Sequence, residues 1–128
     1  MIENARRVRK LLGGSTRQAG ILAAPGLVAL ETMVERLAED HANARSLAEG
    51  LSALPGMAID MHSVQTNIIM IDIQKGGLTS RRLHQALLQE KIEVNIVDEK
   101  RIRLVTHRHF KSEHVPVVLD GFANVLQD

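Results

Sequence analysis

From Leu27 the apolar positions fall at Leu27, Leu30, Val34, Leu37, Ala44, Ala48 and Leu51, in alternating steps of three and four, with His41 in the slot between that an apolar residue would fill. This period predicts one long amphipathic helix that starts near Pro25, a residue suited to a first helical turn, and stops at Leu54-Pro55-Gly56. The pattern then shortens. Met57 to Met61 and Thr66 to Ile73 read as strands, the second β-branched and apolar enough to be central. Lys75-Gly76-Gly77 breaks it, and Thr79 or Ser80 can cap a second helix that buries Leu83, Ala86 and Leu87 and ends near Lys91. Two further strands, Ile92 to Val97 and Arg101 to His107, join through the charged turn Asp98-Glu99-Lys100. Ser112 opens a last helix with Val115, Val118, Leu119, Phe122, Val125 and Leu126 on one face, and Pro116 is tolerated because it falls near the first turn.

This order describes an α+β layer, an about four-stranded, mainly antiparallel sheet with helices on one face, preceded by a long N-terminal helix. The opposite face must meet water or another body. Alternation along Arg101 to His107 sends Arg101, Arg103, Val105 and His107 to one side and Ile102, Leu104 and Thr106 to the other. Two arginines thus share one face of one strand, and guanidinium is the side chain best shaped to grip a planar carboxylate or a phosphate through paired donors.

Composition narrows the chemistry. At 128 residues with 45% hydrophobic residues the chain suits one domain with its own core. Zero cysteines exclude disulfides, thiolate metal sites and a cysteine nucleophile, and fit a reducing cytoplasm. No apolar run approaches the ~20 residues that span a bilayer, and no signal-like apolar segment follows Met1, so an unexported cytoplasmic protein is expected. With 16 Lys+Arg against 15 Asp+Glu the net charge is +1, and any basic function must be local. Arg6, Arg7, Arg9, Lys10 and Arg17 cluster around Gly13-Gly14, but no GK[ST] follows a spaced glycine, so this is no phosphate-binding P-loop. A nucleic-acid role is the weakest reading, because two Phe and no Tyr or Trp leave no stacking platform. His107, His109 and His114 invite a metal reading, since His107 and His109 can share a strand face, yet no Cys or carboxylate stands at ligand spacing, and no metal site is assigned. His41 reads as a packed histidine at the edge of the helix seam, Arg101 as a solvated or structural charge, and the methionines as core filler.

The segment RRVRKLLGGSTRQAG, followed in order by LVALETMVERLAEDHANARSLAEGL, SVQTNIIMIDI and RIRLVTH, resembles the C-terminal part of the low-specificity threonine aldolases, and the resemblance covers essentially the whole chain. These are pyridoxal-phosphate lyases of fold type I that split β-hydroxy amino acids such as threonine into glycine and an aldehyde. The resemblance implies a basic connecting segment over residues 1–26 and an aldolase-type small domain over 27–128. It implies that Lys10 and Arg17 lie near the cofactor phosphate and that Arg103 holds the substrate carboxylate. The family's Schiff-base lysine lies upstream of the matched part, and none of the five lysines here, Lys10, Lys75, Lys91, Lys100 and Lys111, sits in its context. The expectation is therefore a domain that binds no pyridoxal phosphate and cleaves no substrate alone, completed by a missing large domain or by homo-oligomerisation. The alternative is a stand-alone, non-catalytic dimerisation module of the same descent. The chain also departs from the family at Ser15 and Thr16, where a glycine and a methionine are usual, and at Lys91-Ile92, where a glycine commonly follows the second helix.

Overall fold

The computed structural model describes residues 1–127 and places three helices ahead of the first strand: α1 (Ile2–Leu11), α2 (Gly20–Thr32) and α3 (Leu37–Ser52). The single long helix expected from the three-four stripe is thus two. The first of them, α2, ends at Thr32 with Met33 as its C-cap residue at φ −112°, and Thr32 turns its hydroxyl back onto the Val28 carbonyl at 2.7 Å. Such back-bonding by Ser and Thr bends and weakens a helix. In the sequence the three-four stripe continues across the four residues of the break, with Val34 in its slot, so periodicity cannot detect it. Pro25 likewise lies inside α2 rather than in its first turn, because the apolar run from Gly20 extends the helix upstream of the proline.

The chain divides into two compact units, Met1–Glu35 and a second that begins at Arg36. In the first unit no residue of α1 or α2 is buried. The double glycine after α1 is a helix stop. Gly13 takes φ +80°, its N–H donates to the Lys10 carbonyl, and the Gly14 N–H donates to the Arg9 carbonyl at 2.8 Å, the paired closure of a Schellman motif. A Cβ on Gly14 would stand 3.0 Å from that Arg9 oxygen, so the second glycine is needed for close approach and the first for its dihedral.

The second unit continues from α3 through β1 (Met57–Ala58), β2 (Ile68–Ile73), α4 (Ser80–Gln89), β3 (Asn95–Ile96), β4 (Arg101–Val105) and α5 (His114–Gln127). The strands form one antiparallel sheet in the order β1-β2-β4-β3. This is the four-stranded α+β arrangement expected, with β1 and β3 cut to two residues each. Ile69, Ile71 and Ile73 of β2 and Ile102 and Leu104 of β4 turn to one face and join Leu47 and Leu51 of α3, Leu83 and Leu87 of α4, and Phe122 of α5 in the core. Fully burying a side chain such as Phe122 contributes about 1.5–3 kcal/mol.

Local chemistry sets the helix ends. The Thr79 hydroxyl accepts from the Arg82 N–H and caps α4, as the sequence suggests. At the other end of α4 the Lys91 N–H donates to Leu88 and the Ile92 N–H to Leu87, again the Schellman pairing, with Lys91 at φ +62°. The Lys75 ammonium donates to the Leu126 carbonyl at 2.7 Å and covers an otherwise unpaired acceptor in the last turn of α5.

Candidate functional site

The face of the sheet turned away from the helices is open. The register Asp72↔Arg101, Met70↔Arg103, Ile68↔Val105 sets these side chains in rows across β2 and β4, and Asn95 of β3 stands beside Arg103. Ile68 and Val105 are 43% and 37% exposed, an apolar row on a face that no helix of this unit covers. The two arginines expected on this face are there, in different states. Arg101 is ion-paired with Asp72, and that hydrogen bond, with the nearby charge, raises the Arg101 pKa above the ordinary arginine value. Arg103 is exposed and has no side-chain hydrogen bond or ion pair among the described residues.

Arg103 lines a cleft of 380 Å³ where the sheet opens. One wall is residues 92–95, which diverge from the sheet before β3; the other is residues 103–107, with Leu47, Phe110 and Val118 closing the apolar end. Glu93 and Asn95 on the first wall and Thr106 and His107 on the second are the further polar residues of the lining. A cleft with an apolar floor, one unpaired guanidinium and flanking amide and imidazole groups can orient a small carboxylate by a forked pair of hydrogen bonds.

The strand that presents Arg103 is tied down behind. The buried Thr106 hydroxyl donates to the Asp40 carbonyl at 2.6 Å, Thr106 and Asn67 are joined backbone to backbone, and the Asn67 amide donates to the Thr106 carbonyl at 2.8 Å. Asp40 is itself buried in α3 and accepts a two-pronged hydrogen bond from Arg36 at 2.8 and 3.2 Å, which raises the Arg36 pKa while burial opposes it. These supporting groups were not singled out from the sequence. Asp40 sits beside the His41 slot of an apolar stripe, a signal that a polar residue there has a partner, whereas the pairing of Asp72 needs the strand register.

Lys10 and Arg17 belong to the first unit and are described within it. Lys10 lies in the last turn of α1 and Arg17 in the turn before α2, followed by Gln18 at φ +43°. Both are exposed, with no ion pair among the described residues. The His107 and His109 rings meet in a T-shaped, edge-to-face contact, and the His107 ring accepts from the His109 N–H at 3.2 Å. Among the described residues no three His, Cys, Asp or Glu side chains converge as metal ligands, and no helix is long and apolar enough to cross a membrane.

Comparison with known proteins adds the context. The Beta-eliminating lyase family model matches residues 1–75, more than half of the chain. Low-specificity L-threonine aldolase 1 of Arabidopsis thaliana is 37% identical over 126 residues, 98% of this chain and 35% of that protein. Low specificity L-threonine aldolase of Escherichia coli K12 is 35% identical over 117 residues, 91% of this chain and 33% of that protein. The chain therefore spans about a third of the length of the curated relatives it matches. Among solved structures, ureidoglycine-glyoxylate aminotransferase from Bacillus subtilis superposes with TM-score 0.62 at 25% identity over 78% of this chain and 28% of that one. Glutamate decarboxylase from Lactobacillus brevis gives TM-score 0.61 at 20% identity over 71% of this chain and 23% of that one, a likeness of fold. The fold is that found in pyridoxal-phosphate enzymes of fold type I.

Proposed function

The chain belongs to the beta-eliminating lyase family, and on that premise we propose that it is the C-terminal, small-domain part of a low-specificity threonine aldolase, a lyase that cleaves threonine-like β-hydroxy amino acids to glycine and an aldehyde. The observation that carries the reading is Arg103. It stands unpaired among the described residues, on the open sheet face and at the mouth of a cleft, in a chain whose matched relatives act on an amino acid.

In this role Arg103 grips the substrate carboxylate and so orients the bond to be broken, while Asn95 and His107 bound the same cleft. Lys10 and Arg17 hold the cofactor phosphate in the assembled enzyme, which is oligomeric. Pyridoxal phosphate, when bound, supplies the electron sink that carbon–carbon cleavage requires. The lysine that carries it comes from the part of the enzyme outside this chain. Here four of the five lysines have structural circumstances of their own: Lys75 caps α5, Lys91 stands in the left-handed turn, Lys100 donates to the Leu78 carbonyl, and Lys111 faces Glu113 at 3.9 Å.

The helix α2 supports the same reading. From Gly20 to Leu30 it carries no polar side chain on any side, yet Ile21 and Leu30 are 76% and 72% exposed. A helix apolar all round is stable when enclosed. The test is direct: the purified chain, supplied with pyridoxal phosphate and threonine, releases no aldehyde, and cofactor-dependent release would overturn its assignment as an incomplete part.

A further inference from the structure

On the open face of the sheet β2 offers a single carboxylate, Asp72, to a strand that carries two arginines, and only Arg101 is paired with it. Asp72 is the direct register partner of Arg101 and its ion-pair partner. Arg103 lies one outward row along, between Met70 and Asn95, neither of which is charged. Diagonal neighbours across an antiparallel pair are about 7–8 Å apart, still within reach of a long side chain. Asp72 is thus within reach of the Arg103 guanidinium whenever Arg101 does not hold it.

A carboxylate fixed on the neighbouring strand has a large advantage over one arriving from solution, because it acts at an effective concentration in the millimolar range or above. If Asp72 were free, it would compete with any small carboxylate for Arg103. The ion pair itself is exposed on both sides, 45% for Arg101 and 53% for Asp72, and such pairs contribute little to stability. Its consequence is for Arg103. The other acids nearby do not substitute for Asp72. The Asp98 carboxylate accepts from the Lys100 N–H at 2.8 Å, and Glu93, which lines the Arg103 cleft, makes no ion pair with Arg103.

We propose that Arg101 is a positioning residue: by engaging Asp72 it keeps the Arg103 guanidinium open for a carboxylate ligand. This rests on the reading of Arg103 as a carboxylate clamp. The Arg101 pKa is raised, first by its hydrogen bond with Asp72, in agreement with the pairing seen in the geometry.

The experiment labels the full chain with phenylglyoxal, an arginine-directed dicarbonyl, and follows Arg101 and Arg103 separately by peptide mass. In the wild type Arg103 labels at the rate of an open arginine; in Arg101→Gln it labels several-fold more slowly, and in Arg101→Gln/Asp72→Asn the rate returns. Unchanged Arg103 labelling in Arg101→Gln overturns the positioning role. Asp72→Asn alone gives a second arm should Arg101→Gln misfold: it exposes Arg101 to faster labelling and leaves Arg103 as it was. A faster Arg103 in that variant means that Asp72 already holds it, and overturns the proposal. Glycine at millimolar concentration protects Arg103 in the wild type. Loss of that protection, with the Arg101→Gln effect intact, overturns the clamp reading and not the competition for Asp72.

Discussion

The Thr106 hydroxyl donates to the Asp40 carbonyl at 2.6 Å, joining the residue that follows β4 to the first turn of α3. Thr106 is only 1% exposed, so its donor has no water to fall back on. Thr106→Val keeps the shape and removes the donor, and it is expected to cost about 1–3 kcal/mol of stability. Chemical denaturation of the two proteins measures this; an unchanged midpoint would show that the tie is not structural.

That tie also shows what periodicity could and could not reveal. Alternation along β4 correctly put Thr106 on the core face and Arg103 on the open one, because side-chain direction is a local property of a strand. It could not reveal that Asp72 opposes Arg101 and that Arg103 has no acid in its row, since register is a relation between distant segments. The break at Met33 escaped for another reason: in the sequence the three-four stripe continues across it, with Val34 in its slot, so the pattern carries no mark of the interruption. The left-handed turn at Lys91 was not legible either, because the glycine that would signal it is absent from this sequence.

Lys91 occupies a left-handed conformation that costs a side-chain-bearing residue about 1–2 kcal/mol. Lys91→Gly removes that cost and gives back part of it through the freer unfolded chain. A net gain of about 1 kcal/mol is expected, read as a rise of a few degrees in Tm. Lys91→Ala brings no such rise.

The pH dependence of the Arg36–Asp40 pair has a fixed sign. A raised arginine pKa means that the stabilisation is fully present below the unfolded-state value and is lost only as pH climbs through the folded-state value, in the strongly alkaline range. The stability difference between wild type and Arg36→Met is therefore the same at pH 7 and pH 10. A difference that shrinks over that interval would mean that another group carries the coupling.

The exposed apolar surface of α2 predicts behaviour at high concentration. Leu22 and Leu30 are 67% and 72% exposed, so Leu22→Glu with Leu30→Lys is expected to change folding stability by no more than about 0.5 kcal/mol per site. Association of the isolated chain, followed by light scattering, is expected to fall. A defined dimer that survives both substitutions would favour the stand-alone dimerisation module over an enzyme part.

The most direct test joins the chain in frame to the part of a low-specificity threonine aldolase that it does not match. The account predicts aldehyde release from threonine that depends on pyridoxal phosphate, with Arg103→Gln lowering kcat/KM at least about thirtyfold, the scale expected when one partner of a desolvated charge pair is removed. A fusion that folds and binds the cofactor yet releases no aldehyde, or one indifferent to Arg103→Gln, would contradict it.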